Sequence, residues 1–110
     1  MSWGVDMAGG ADVLGIVADF LVAHPALPEL VGVQVTWHHA DKAWQVNVQL
    51  AGGNVTGLAG WAAVLRGPVT TVVDGDGAYI GPYTRHEVTG LLRGHPVTVW
   101  ACERRGLESA

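Results

Sequence analysis

The chain has little charge and almost no cysteine. Only 15% of its 110 residues are charged, it contains one lysine, and Cys102 is its one cysteine. A single cysteine cannot form a disulfide within the chain, which favours a reducing cytoplasm as the location. The formal net charge of -4 argues against a nucleic-acid partner or an anionic membrane surface, because clustered basic residues recognise both.

Long apolar runs and the common catalytic motifs are absent as well. No run approaches the roughly 20 apolar residues that cross a bilayer, and Met1 to Gly10 lacks the basic start of a signal peptide. The two serines, Ser2 and Ser109, are terminal, and no G-x-S-x-G, C-x-x-C or G-K-[ST] motif occurs. We therefore expect a cytoplasmic protein with no membrane partner and no cofactor.

Apolar residues, in contrast, are abundant: they make up 49% of the chain, which includes five tryptophans. A chain of this length buries a core of its own without disulfides or metal, so we expect one domain over residues 1–110. Low charge combined with many tryptophans indicates that some apolar surface is covered by a protein partner or by a second copy in a homodimer.

The clearest pattern lies in residues 31–50, where apolar and polar residues alternate in two runs. Successive side chains of a strand point to opposite faces, so each run predicts a strand with one apolar face and one polar face. An antiparallel hairpin with its turn at 38–43 makes both apolar faces coincide. Its predicted cross-strand pairs are Trp37 with Trp44, Val35 with Val46, Val33 with Val48, Gln34 with Asn47 and Thr36 with Gln45.

Two helices are predicted, one on each side of this hairpin. Residues 11–23 carry an apolar stripe at helical spacing and end before Pro25, whose ring disfavours helical geometry in the preceding residue. His24 is expected to cap that helix at its C-terminal dipole. Residues 56–66 carry a second stripe, with Thr56 or Asn54 as the predicted cap.

The remaining segments predict strands and turns. Residues 69–73 are all β-branched, and the DGDG motif at 74–77 is typical of a hairpin turn. Further strands are predicted over 78–80, 83–91 and 97–102. Residues 1–10 are expected to form an irregular lead-in and 104–110 a polar tail.

These elements together predict an α+β fold class. The simplest arrangement is a two-layer sandwich, an antiparallel sheet of four to five strands with two helices on one face, in the order α-β-β-α-β-β-β. Residues 97–102 are apolar on both faces, which is typical of a central strand covered on both sides.

The polar face of the hairpin is a candidate interface, formed by Gln34, Thr36, Gln45 and Asn47. These groups carry no charge, and the centres of protein interfaces are depleted in charge. Trp100 points away from the helices if its neighbours Val97 and Val99 face them, and it is then a candidate interface anchor. The alternative interpretation is an ordinary solvated sheet face.

The histidines are candidates for a pocket between sheet and helices, formed by His39, His86 and His95. A catalytic zinc needs three ligands that converge on one point, and adjacent strand residues such as His38 and His39 point apart. Asp74 and Asp76 lack the further ligands of a calcium loop. We therefore predict no metal site and no catalytic residue.

Cys102 lies in an apolar strand, where burial keeps a thiol unreactive. We expect it to be a small core residue. The alternative is a nucleophile that acts with His86 or His95.

The helix at 11–23, the hairpin, the segment LAGWAAVLRG and the closing segments HEVTGLL and PVTVWA together resemble a family of small actinobacterial proteins of the Streptomyces type, whose function is unknown. The resemblance covers most of the chain. It implies a cytoplasmic α+β domain and carries no catalytic residue over to this chain.

Three functions compete at this point. The first, which we expect, is a non-catalytic binding or assembly module that self-associates or docks through its sheet face. The second is a small enzyme or ligand-binding protein with a histidine-containing pocket. The third is a regulator that contacts nucleic acid through a local basic patch of Arg85, Arg93, Arg104 and Arg105.

Overall fold

The computed structural model describes residues 7–28, 30–51, 55–77 and 81–104. The elements, in chain order, are α1 (Met7–Ala23), β1 (Leu30–His38), β2 (Ala43–Leu50), a short 3-10 helix (Val55–Gly57), α2 (Leu58–Val64), β3 (Arg66–Gly77), β4 (Gly81–Leu92) and β5 (His95–Arg104). The five strands form one sheet in the order β1-β2-β5-β4-β3. The predicted α+β fold class and element order are confirmed.

The β1–β2 hairpin has the register that the alternation of apolar residues predicts. Trp37 pairs with Trp44, Val35 with Val46 and Gln34 with Asn47. The ring centroids of Trp37 and Trp44 lie 5.5 Å apart, with an angle of 63° between the ring planes. A bulge between Leu30 and Gly32 shifts the register at the start of β1.

One parallel pair, β2 with β5, joins the two halves of the sheet. Val46 lies beside Val97 and Val48 beside Val99, whereas all other neighbouring strands are antiparallel. A parallel pair needs a long crossover connection. In this chain α2 and the β3–β4 hairpin form that connection, and β5 becomes the central strand that its apolar sequence predicts.

Both helices pack on the same face of the sheet. Their buried side chains, Val13 and Val17 from α1 and Leu58 and Trp61 from α2, form one cluster with the valines of β2, β4 and β5. Among the described elements, none packs on the other side of residues 97–102, where Thr98, Trp100 and Cys102 are half-buried. For the part of the chain that the structure describes, the predicted cover on both sides of this strand is therefore wrong.

We call the opposite side the open face. Side chains point alternately to the two faces along each strand, so the residues that alternate with those on the helix-covered face belong to the open face. They include Gln34, Thr36, Gln45, Asn47, Gln49, Thr71, Arg85, Glu87, Thr98, Trp100 and Cys102.

Helix α1 begins at Met7, so residues 7–10, predicted as irregular, are helical. Gly10 lies against the indole of Trp44 and permits this close approach of helix and sheet. At the other end, Nδ1 of His24 donates a hydrogen bond of 2.9 Å to the carbonyl oxygen of Phe20. His24 therefore caps the helix as predicted.

Helix α2 is shorter than the predicted segment 56–66. It starts at Leu58, and Gly57 takes the cap position in place of the predicted Thr56, while Asn54 lies outside the described residues. It ends at Val64 because Leu65 adopts an extended backbone and buries its side chain beside Gly90. Arg66 consequently belongs to β3 and not to the last turn of the helix.

The DGDG motif is part of β3, so the turn predicted at 74–77 is wrong. Asp74 pairs with Thr84, whose hydroxyl donates to the carboxylate at 2.8 Å, and Asp76 pairs with Pro82. The ring of Tyr83 lies directly over Gly75 and fills the space of a missing side chain. Long-range pairing with β4 has overridden the local turn preference, and the strand predicted over 78–80 lies outside the described residues.

The β4–β5 connection is tighter and β5 longer than predicted. Arg93 and Gly94 both have positive φ angles, 49° and 83°, as in a two-residue hairpin turn. β5 extends beyond the predicted segment 97–102 at both ends. It includes Arg104, predicted as the start of the polar tail, and residues 105–110 lie outside the described part of the chain.

We expect Gly10→Ala to destabilise the protein. The new Cβ would lie 2.7 Å from the Trp44 ring, so helix and sheet would have to separate. Such overpacking costs about 1–3 kcal/mol, whereas alanine gains only about 1 kcal/mol over glycine within a helix. Urea unfolding measures the difference in the free energy of unfolding.

Gly15→Ala in the same helix is the matched control. No atom lies within 4 Å of the position that its new Cβ would take, so we expect a gain of about 0.5–1 kcal/mol. Equal stability of the two variants would contradict the close contact between Gly10 and Trp44.

Candidate functional site: the open face of the sheet

Trp100 lies at the centre of the open face. It is half-buried on β5, between Gln49 of β2 and Glu87 of β4. Its neighbours Val99 and Ala101 are completely buried under the helices, which directs its side chain to the other face. The indole Nε1 donates a hydrogen bond of 2.7 Å to the side-chain oxygen of Asn47, so β2 fixes the orientation of the ring.

Arg85 of β4 covers one side of this indole. Its guanidinium carbon lies 4.2 Å from the Trp100 ring centroid, within the range of a cation–π interaction. Nε of Arg85 also donates to a carboxylate oxygen of Glu87, and the two side chains are 30% and 24% exposed. The charges at the centre of the open face therefore neutralise each other.

A shallow groove of about 300 Å³ runs beside Trp100. The side chains of Gln34, Asn47 and Gln49 line it, and Gly32 leaves it open at β1 because no atom lies within 4 Å of a Cβ built there. Amide groups offer both hydrogen-bond donors and acceptors. The groove can therefore hydrogen-bond the backbone or polar side chains of a docked segment.

The structure brings three of the five predicted interface residues together. Gln34, Asn47 and Trp100 surround the groove. Thr36 and Gln45 form a cross-strand pair nearer the hairpin turn, where Nε2 of Gln45 donates to Asp41 at 3.1 Å.

Sequence reasoning missed Gln49, Gly32, Arg85 and Glu87 as members of this site. Gln49 continues the same alternation as Asn47, so the sequence pattern could have identified it. Arg85 and Glu87 join the site only through the pairing of β4 with β5, which has no local signal in the sequence.

The three candidate pocket histidines do not converge. His39 follows β1 in an exposed turn, where its Nδ1 accepts a hydrogen bond of 3.2 Å from Nε1 of Trp37. His95 pairs with Leu92 and His86 with Ala101, so roughly 20 Å of β5 separates them. Within the described ranges, no three side chains of His, Cys, Asp or Glu lie close enough to hold a metal ion.

Of these three histidines, His86 lines a pocket between α2 and the sheet. The pocket measures about 200 Å³, and its other walls are the apolar or small side chains of Val55, Leu58, Ala59, Ala62, Thr70 and Val88. Nε2 of His86 is buried and has no hydrogen-bond partner among the described residues.

Cys102 lies half-buried on the open face, opposite Arg85, and not in the core. Its predicted place as a core residue is therefore wrong. His86 and His95 share the helix-covered face with Val88 and Val97, so neither can activate this thiol.

The arginines proposed as a basic patch are spread over the sheet. Arg93 lies in the turn before β5 and Arg104 at the end of that strand, about 30 Å apart along it. Arg85 is engaged by Trp100 and Glu87. The described arginines thus form no continuous surface for nucleic acid, and Arg105 lies outside the described ranges.

Comparison of the chain with protein-family models, curated proteins and solved structures gives no match. The resemblance to actinobacterial proteins therefore stays a prediction. Neither helix of the described chain combines the length and the apolar character needed to cross a membrane.

A double-mutant cycle tests the contact at the centre of the open face. We expect Arg85→Gln and Trp100→Leu to show a coupling free energy of about 0.5–1 kcal/mol in denaturant unfolding, as for partly exposed cation–π pairs. Arg93→Gln with Trp100→Leu is the control cycle and should show no coupling, because Arg93 lies in the distant turn. Equal coupling in both cycles would argue against the stacked arrangement.

Proposed function

We propose that this chain is a non-catalytic, cytoplasmic protein-binding module that docks a protein partner through its open face. One observation carries the proposal: Trp100 is held at the centre of a face with little free charge by Asn47 and Arg85. Tryptophan and arginine are enriched among the residues that dominate binding energy. The surrounding amides cost less to desolvate than charged groups would.

The open face is also ordered before any partner arrives. The hydrogen bond to Asn47 and the stacked guanidinium restrict the rotamers of Trp100, so less conformational entropy is lost on binding. The groove beside the ring leaves room for a side chain or an extended segment of the partner. Anchor, amides and groove together support docking of a folded protein or a peptide.

Site-specific photo-crosslinking in cells tests this function. A photoreactive amino acid in place of Gln49, which is exposed beside Trp100, should capture a discrete protein. Trp100→Ala should lower that capture by about tenfold or more, because loss of an interface anchor costs about 2 kcal/mol or more. Thr36→Lys should also lower it by placing a charge in the interface.

Ala18, exposed on α1 on the other side of the molecule, is the matched control position. The same photoreactive group there should not capture that protein. Equal labelling from both faces, or labelling that Trp100→Ala leaves unchanged, would refute docking through the open face.

A small ligand in the His86 pocket is the second candidate function. The buried, unpartnered Nε2 of His86 favours it, because an uncompensated buried polar atom costs free energy that a bound group would recover. The pocket volume of about 200 Å³ counts against it, since ligand sites usually measure about 300–1,000 Å³.

Phenol is a suitable probe because it combines an apolar ring with one hydroxyl. If the pocket binds ligands, phenol should produce saturable NMR shifts at Leu58 and Val88 that His86→Phe, which fills the pocket, abolishes. Shifts that His86→Phe retains would show that binding occurs elsewhere, and the absence of saturable shifts would remove this candidate for ligands of this class.

A further inference from the structure

The free edge of β3 carries five consecutive β-branched residues, Val69 to Val73, without charge or proline. Val69 is 58%, Val72 57% and Val73 49% exposed, and β3 is the last strand of the sheet. An exposed apolar edge strand offers unpaired backbone groups to another strand, and natural edges are usually protected by charges, bulges or proline. The β3 edge has such protection only at its two ends, outside the segment from Val69 to Val73.

The five residues are self-complementary about their middle residue, Thr71. In an antiparallel pair of two identical strands centred there, Val69 of each copy faces Val73 of the other, and Thr71 faces Thr71. These residues share the open face in both copies, since directly opposite residues of a ladder lie on the same side. β-branched cross-strand pairs of this kind stabilise a sheet.

The flanking residues select this register. A bulge with Gly67 in a left-handed conformation precedes Val69, and Pro68 has no backbone N–H to donate. Displacement by two residues in one direction would place Pro68 opposite Val72, and in the other direction Asp74 opposite Thr70. Only the central register aligns all five uncharged residues.

The charged residues that flank the run contribute no attraction in this register. Arg66 pairs with Leu91 on the open face, whereas Asp76 pairs with Pro82 on the helix-covered face. When the two residues of different copies come level, their side chains therefore lie on opposite sides of the sheet. The register depends on the uncharged run and on the residues that bound it.

We propose that two copies of this chain pair through their β3 edges, antiparallel and centred on Thr71, to form one continuous sheet across both copies. The two-fold axis is perpendicular to the sheet, so both open faces lie on one side and all helices on the other. The dimer is independent of the partner proposed for the open face.

Light scattering and sedimentation over a concentration series test the dimer. A single ladder is a small interface, so the mass should approach twice 11.5 kDa at high concentration and fall twofold on dilution. Thr71→Lys places like charges directly opposite at the axis and should be monomeric throughout. Thr36→Lys on β1 is the matched control and should keep the mass of the unmodified chain, although it weakens docking on the open face.

Crosslinking gives a readout that does not depend on affinity. In a Cys102→Ser background, Thr71→Cys brings two thiols together at the axis, within the range for a disulfide, whereas Thr36→Cys does not. Oxidation should link only the Thr71→Cys variant into dimers. A monomeric mass at every concentration, or equal crosslinking of both variants, would overturn the proposal.

Discussion

The parallel pairing of β2 with β5 is the constraint on which the rest of the structure depends. Both hairpins, β1–β2 and β3–β4, are local, and β5 follows β4 through a two-residue turn. Only the β2–β5 pair makes one sheet of them. It places Val46 and Val48 beside Val97 and Val99, four of the most deeply buried side chains in the described chain.

The same pairing creates the candidate interface. Because the valines of β2 and β5 face the helices, Asn47 and Trp100 must both face away, on neighbouring strands and within hydrogen-bond distance. Arg85 and Glu87 reach the indole from β4 on the other side. Core and interface are thus alternate residues of the same strands, and a shift of one residue in β5 would lose both.

The sequence predicts elements whose signals are local and strong. The alternation in residues 31–50 predicts the cross-strand pairs from Val33 with Val48 to Trp37 with Trp44 correctly, because only one register buries the valines. The outward direction of Trp100 follows from the same rule applied to its strand neighbours. His24 caps α1 as its position before a proline predicts.

Where local signals compete with long-range pairing, the sequence misleads. DGDG is a good turn sequence, yet β4 draws it into a strand in which Tyr83 covers Gly75 and Thr84 binds Asp74. Helix α2 stops early because Leu65 takes an extended backbone, which places its side chain in the core beside Gly90. The parallel pair itself joins segments about 50 residues apart, and no short-range pattern records that contact.

The low charge of the chain acquires a physical explanation from this arrangement. In a monomer, strands that face water on one side or at an edge normally carry charges there for solubility and protection. Here the open face has its principal charges paired around Trp100, and the β3 edge has none between Val69 and Val73. Two separate surfaces therefore lack the charge that permanent exposure to water would favour. Because one is a face and the other an edge perpendicular to it, a partner on the open face and a second copy along β3 can be accommodated at the same time.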